Sequence, residues 1–165
     1  MTDVVVIDGD AVTQLWVHVP AGWQAGDVAG ADAVLWNPDV SATFRTNVVL
    51  SCDTVDPAHD LAIVADHARR HVAASYRAVD VRGEVMVRLG VAPAIVRLAL
   101  FDAGDDATRL AQLQALADGG IDDTGTRRLI FQLIATCRAE DISACGDDMA
   151  QIIAGALVRR SPTGE

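Results

Sequence analysis

The sequence predicts an α+β domain, a central antiparallel sheet with two main helices layered as an α/β/α sandwich. Three observations lead there. Most of the chain alternates apolar and polar residues with period two, in runs separated by Gly- and Asp-rich turns, as half-buried strands do. Two stretches, about 56–75 and about 140–160, repeat near 3.6 and read as amphipathic helices. The strands also come in blocks rather than singly between helices, which favours an antiparallel sheet over βαβ units.

In order, "VVVI", then Asp8-Gly9, then "TQLWVHVP" reads as a hairpin, since Asp-Gly supplies the positive φ of a tight turn. Leu15, Val17 and Val19 face one way, Trp16 and His18 the other. "DAVLWN" is a short strand closed by Asn37-Pro38. "FRTNVVLSCD" places Phe44, Thr46, Val48, Leu50 and Cys52 on a core face, with Arg45, Asn47, Val49, Ser51 and Asp53 on a polar one. Asp56-Pro57 supplies an N-cap and a first helical residue. Leu61, Val64, Ala65, Ala68 and Val72 then form a buried stripe. From Tyr76, "YRAVDV", "EVMVRL", "AIVRLALF", "RLAQLQAL" and "RLIFQLIATC" are strands. "RLAQLQALA" has helical propensity, but its alternation and hairpin-like flanks assign it to the sheet. In the last helix Ile142, Cys145, Met149, Ile152, Ile153 and Ala156 share a face. Gly146 costs about 1 kcal/mol in a helix interior, so the helix effectively begins near it. Residues 1–165 make a single domain, with the tail from Arg159 frayed.

The totals narrow function. With a formal charge of −10, the chain repels phosphate backbones. Its arginine pairs (Arg69-Arg70, Arg127-Arg128, Arg159-Arg160) carry no interleaved aromatics, so nucleic acid is not the expected partner. No run approaches the roughly 18 apolar residues of a membrane span. "MTDVVVIDGDAV" lacks a basic n-region and reads as a strand, not a signal peptide. The expectation is a cytoplasmic protein. Its three cysteines, Cys52, Cys137 and Cys145, are then free thiols at apolar positions.

Several stretches, in this order, resemble one family: "VHVPAGW", "FRTNVVLSCD" and the helix after it, "GVAPAIVRLALF", "RLAQLQALADGG", and "RLIFQLIATC" before a terminal helix. Together they resemble the PsbP-like superfamily, which includes the Ran-binding Mog proteins, actinobacterial LpqN-type lipoproteins and the Eag-type chaperones of type VI secretion. The resemblance implies an α/β/α sandwich around an antiparallel sheet. It also implies a non-enzymatic role in binding a protein client. The chain departs from LpqN-type lipoproteins in having no lipobox, which favours a cytoplasmic adaptor, assembly factor or chaperone.

The residues offer little chemistry against that reading. His67 and His71 have the i, i+4 spacing of a metal pair, but no Glu follows His67 as HExxH requires; a polar helix face explains them. "FDAGDDA", "IDDTG" and "CGDD" lack the alternating ligands and terminal Glu of a Ca²⁺ loop and read as turn tips. No Gly-rich phosphate loop or GxSxG elbow occurs, and no nucleophile, base and orienter stand together. No metal, cofactor or catalytic residue is expected.

What remains is a surface. Trp16, His18, Trp36, Arg45, Asn47 and Val49 are the candidate protein-binding residues: the polar face of the long strand, with tryptophans as apolar anchors. Trp23 in "PAGW" reads as a core or turn plug. The alternative is a carrier of a small apolar ligand or lipid in a sheet–helix cleft. Client identity is not readable, and a homodimer is left open.

Overall fold

Hydrogen-bonded alternation builds ten strands and two helices in a computed structural model that describes residues 3–38, 44–104 and 108–162. The strands are β1 (Val4–Asp8), β2 (Thr13–His18), β3 (Gln24–Gly26), β4 (Ala33–Trp36) and β5 (Asn47–Val55), then β6 (Arg77–Leu89), β7 (Ala92–Ala103), β8 (Thr108–Ile121), β9 (Arg128–Arg138) and β10 (Leu157–Arg160). Helix α1 (Leu61–Ser75) lies between β5 and β6. Helix α2 (Ile142–Ala154) lies between β9 and β10, after a short 3₁₀ turn.

Seven strands form one antiparallel sheet in the order β3-β4-β5-β9-β8-β7-β6, and β1-β2-β10 form a second, small sheet. The α+β sandwich is therefore layered: α1, the seven-stranded sheet, then α2 beside the small sheet. Strand alternation dictates this. From β9, Phe131, Leu133, Ala135 and Cys137 face α2 and the small sheet, while Ile130 faces α1. The main core is a match of sizes. Ala92, Ala94, Ala111, Ala115, Ala117 and Ala135 on the large sheet let Leu15, Val17, Met149, Ile152 and Ile153 approach from the opposite layer.

The run "RLAQLQALA" is a strand, paired along its length with β7 and β9. Two-sided pairing outweighs its helical propensity.

Four expectations need correction. Helix α1 starts at Leu61, not near Pro57. Asp60 takes extended backbone and accepts a hydrogen bond from the Ile63 N–H at 2.9 Å, whereas Asp56 closes a separate turn by accepting from the Ala58 N–H at 2.8 Å. Helix α2 spans Ile142–Ala154 rather than 140–160, and Gly146 sits in its interior. The chain beyond it is not frayed through Arg160: Leu157–Arg160 pair with Trp16–Thr13 as β10. Finally, Phe44 precedes β5 and does not share the face of Val48 and Leu50. It packs on the α1 side against the cluster of Ala99, Phe101 and Leu110.

On the α1 side the helix offers few apolar contacts. Leu61 and Ala65 meet Ile95, Leu116 and Ile130. The stronger tie is Arg97 on β7, whose side chain is only 2% exposed. Its Nε donates to Gln114 Oε1 at 2.7 Å and its Nη1 to the Ala65 carbonyl of α1 at 2.8 Å. Glu84 Oε2 lies 3.6 Å from Nη1 and balances part of the charge. Gln114 in turn donates to Gln112, and Gln112 to Thr136 Oγ1 at 3.1 Å. Burial lowers the guanidinium's pKa below its ordinary value while Glu84 pulls it back up.

Two stability predictions follow from this packing. Leu50, fully buried, should cost about 2–5 kcal/mol on Leu50→Ala, whereas exposed Arg45→Ala should stay within about 0.5 kcal/mol. Arg97→Ala, which strips partners from Gln114 and the Ala65 carbonyl, should cost about 3 kcal/mol, and Arg97→Met clearly less because its stem refills the space. Urea denaturation of the four variants measures both.

Candidate functional site

Helix α1 packs on β6, β7 and β8. Ile130 of β9 is also buried against it, and among the described residues the β4–β5 end of that sheet face carries no helix; the register of the strands determines what it shows. One row across the sheet runs Trp36, Asn47, Thr136, Gln112. The next runs Val34, Val49, Ile134, Gln114, Arg97. The rows are apolar and aromatic at the β4 end and polar beneath the helix.

At the β4–β5 end lies an open recess of about 420 Å³, lined by Val28, Val34, Trp36, Arg45, Asn47 and Val49. Val34 and Val49, directly opposed, make the floor. Trp36 stands beside them, its indole laid over Gly26, where a Cβ would come within 2.9 Å of the ring. Glycine on β3 is what makes room for the tryptophan. Asn47 is held by its side-chain amide, which donates to the Arg45 carbonyl at 2.9 Å. Along the same face, between α1 and the sheet, a narrower cleft of about 190 Å³ is lined by Ala68, His71, Val72, Tyr76, the glutamines 112, 114 and 132, Leu116 and Ile134. Tyr76 stacks on Phe101 with ring centroids 4.2 Å apart, closing its end.

The structure thus brings together Trp36, Arg45, Asn47 and Val49. It does not bring Trp16 and His18 to them. Both project from β2 on the outer face of the small sheet, while their neighbours Leu15 and Val17 face the core between the sheets. There Trp16 lies opposite Val6 and Leu157, donates to Gln14 Oε1 at 3.1 Å and carries the Arg159 guanidinium 4.4 Å from its ring centroid. Trp23 is a buried plug, donating to Asp148 of α2 at 3.2 Å. Val28, Val34, Gln112, Gln114, Gln132 and Ile134 were not singled out from sequence. The alternation of "LAQLQAL" already put the two β8 glutamines on one face, but nothing local tells which face stays open.

Solved structures share this architecture. LpqN, involved in cell envelope biogenesis of Mycobacterium tuberculosis, superposes with a TM-score of 0.74 at 14% identity, over 96% of this chain and 91% of that one. Cyanobacterial PsbP from Synechocystis gives 0.61 at 12% identity, over 91% and 94%. The Saccharomyces cerevisiae Ran-binding protein Mog1p gives 0.53 at 12% identity, over 94% of each chain. The chain has the PsbP-like fold. No family model matches the chain, and no curated protein does. At such identities the likeness is one of fold, and function has to be argued from the site.

Two of the thiols are poorly placed to act as nucleophiles. Cys52 is half-buried beside a shallow acidic recess lined by Asp32 and Asp53. Burial, then the charges of Asp32, Asp53 and Asp10, push its thiol up to about 12. Cys137 is likewise pushed up to about 12, by burial and by its neighbour Cys145. A nucleophilic thiol needs the opposite setting. Among the described residues no group of three His, Cys, Asp or Glu could hold a metal ion, and no helix is long and apolar enough to cross a membrane. His67 and His71 are both exposed on α1; the His67 ring meets His59 edge-on at 5.8 Å.

The raised thiols predict slow alkylation. At pH 8 a thiol near 12 is ionised about once in ten thousand, against roughly a quarter for an ordinary cysteine. Iodoacetamide should therefore modify Cys52 at least about a hundredfold more slowly in native protein than in urea, followed by peptide mass spectrometry. Equal rates would show that burial and the neighbouring carboxylates do not govern it.

Proposed function

We propose that this PsbP-like domain is a non-enzymatic protein-binding module, an adaptor, assembly factor or secretion-type chaperone, and that it holds its client on the uncovered end of the α1-side face. The observation that carries the reading is the recess around Trp36. Its floor is apolar, its anchor is a partly buried aromatic seated on glycine, and its rim is Arg45 and Asn47. That is the anatomy of a protein interface, an apolar centre inside a polar border. The Ran-binding description of Mog1p lends support, since that protein uses the same scaffold to engage another protein. We place the activity in a reducing compartment, the cytoplasm, because all three cysteines are free thiols, including the neighbours Cys137 and Cys145. Trp16 and His18 belong to a separate outer surface and are secondary contacts at most.

A net charge of −10 steers basic clients towards the domain, an effect that weakens with salt. The test compares capture from host lysate by wild type, by Trp36→Ala/Arg45→Glu and by Trp16→Ala, all checked for folding by circular dichroism. A client bound at the recess should be lost by the double variant, with a fall in affinity of about thirtyfold or more on titration, and kept by Trp16→Ala. Equal retention by all three proteins would refute the site.

A second reading rests on a different observation. Between α2 and β6–β8 lies an apolar recess of about 360 Å³, lined by Val85, Val87, Leu89, Val96, Leu113, Ile153 and alanines of α2, with Arg88 at its edge. Its size admits a short acyl or aromatic group, the sheet–helix cleft an apolar-ligand carrier needs. A hydrophobic adduct on host-purified protein in native mass spectrometry, with no client captured, would favour this reading.

A further inference from the structure

The free edges of the two sheets are not alike. A strand edge presents unpaired N–H and C=O groups, and proteins blunt such edges with short strands, charges or bulges. The small sheet ends in β1 and β10, of 5 and 4 residues, the latter closing on Arg159-Arg160. The large sheet ends on one side in β3, of only 3 residues. Its other edge is β6, of 13 residues. The first half of β6 is blunted: its register against β7 shifts between Arg77 and Asp80 and again between Arg82 and Glu84, where Gly83 takes φ of +65°. Arg82 is also engaged with Asp80 at 2.8 Å. The second half, Glu84–Leu89, pairs regularly with Arg97–Ala92 without a bulge, and its two charges, Glu84 and Arg88, are of opposite sign. It carries Met86 at 65% and Val85 at 56% exposure, and Val91 at 58% follows in the turn; these are the three most exposed large apolar side chains described.

We propose that this half-strand is a homodimer interface, where β6 of one copy pairs antiparallel with β6 of a second copy about a two-fold axis at Met86. The sequence is self-complementary only in that register. An axis perpendicular to the sheet keeps the helical layers of both copies on matching sides, so opposed residues must share a face. By alternation Glu84, Met86 and Arg88 spring from the α1 side, opposite Arg97, Ile95 and Pro93, and Val85, Val87 and Leu89 from the α2 side; the Arg88 guanidinium bends to the strand edge, where it donates to the Val91 carbonyl at 2.6 Å and borders the recess under α2. Centring on Met86 sets Glu84 against Arg88 twice, Val85 against Val87 twice and Met86 against itself. Centring on Val85 would oppose Arg88 to Arg82, two like charges. Centring on Val87 would place Arg88 on Met86 and leave Glu84 facing glycine.

Two further features fit a second copy. The stretch Glu84–Val91 is neutral in a chain of net charge −10, so copies meet here without local repulsion. Val85 and Val87 also wall the apolar recess under α2, and the partner's Val87 and Val85 would extend that wall across the axis. The pairing is isologous, so it closes at two copies and leaves no further edge of this kind. The recess around Trp36 lies at the opposite end of the sheet and remains free in the dimer.

Sedimentation velocity over a concentration series tests this with wild type, Glu84→Arg, Arg88→Glu and the double exchange. We expect dimer for wild type, association weakened about tenfold in each single variant, and recovery in the double exchange. Because Glu84 also faces buried Arg97, a cross-link provides a readout that leaves both untouched. In a Cys52→Ser background, Met86→Cys should oxidise to a disulfide-linked dimer, since opposed Cβ atoms lie within reach. Val81→Cys, on the blunted half of the same strand, should not. Wild type that stays monomeric at every concentration, or equal cross-linking at both positions, would overturn the proposal.

Discussion

A buried guanidinium decides where the first helix lies. Helix α1 is alanine-rich and brings only Leu61 and Ala65 fully into its contact with the sheet. Apolar burial at about 25 cal/mol per Å² is modest for such side chains, so position has to come from something directional. Arg97 supplies it. Its reach from β7 to the Ala65 carbonyl fixes the helix over β6–β8, and Gln114 fixes the guanidinium plane from the next strand. Among the described residues the Nη2 atom is left without a hydrogen-bond partner, the remaining cost of using a cation as a rivet. Once α1 is held there, the β4–β5 end of the same face has, among the described residues, no helix above it. The open recess is thus a consequence of where the rivet sits.

The opposite face follows a different rule. Its strands carry alanines where β7, β8 and β9 meet the second layer, so α2 and the small sheet come close and are held by many dispersion contacts rather than a few polar ones. At the border of that face, between α2 and β6–β8, an apolar recess opens. Two surfaces result from two packing solutions. One is a polar-rimmed recess beside a riveted helix; the other is an apolar border beside a free edge.

This division explains what the sequence disclosed. Period-two alternation found every long strand, including "RLAQLQALA", because each is read by its own residues and their facing. The end of α2 was harder. "LVRR" is too short to declare itself, and it becomes β10 only because Trp16–Thr13 wait to pair with it. The start of α1 was mistaken for a related reason. Asp56-Pro57 and Asp60 both carry capping chemistry, and only the tertiary placement of Leu61 in the core selects the second. Facing within a strand was legible, but the identity of the sheet was not. Trp16 and Arg45 both point away from the main core, yet one points out of the small sheet and the other out of the large one. Phe44 illustrates the limit of alternation. It lies before β5 begins, where the chain is released from the pleat and its ring turns to Phe101 and Leu110.

Charge distribution refines what the recess can recognise. Most guanidinium groups are engaged within the chain: Arg69 and Arg70 on Asp66, Arg82 on Asp80, Arg109 on Asp102, Arg128 on Asp118, and Arg77, Arg88 and Arg160 on backbone carbonyls. Arg45 makes no ion pair among the described residues, and it stands at the rim of the recess. In a chain of net charge −10 an unengaged cation is a local exception to the field around it. On the proposed reading, the long-range field favours an approaching surface that is basic, while a group docking beside Trp36 would be an acceptor, a carboxylate or a backbone carbonyl, that Arg45 and the Asn47 amide can satisfy. A client answering the proposed function therefore carries an acceptor inside a basic surround. A uniformly basic peptide would be drawn to the domain without being held, because it would leave the guanidinium partly desolvated and unpaired at the rim of the contact.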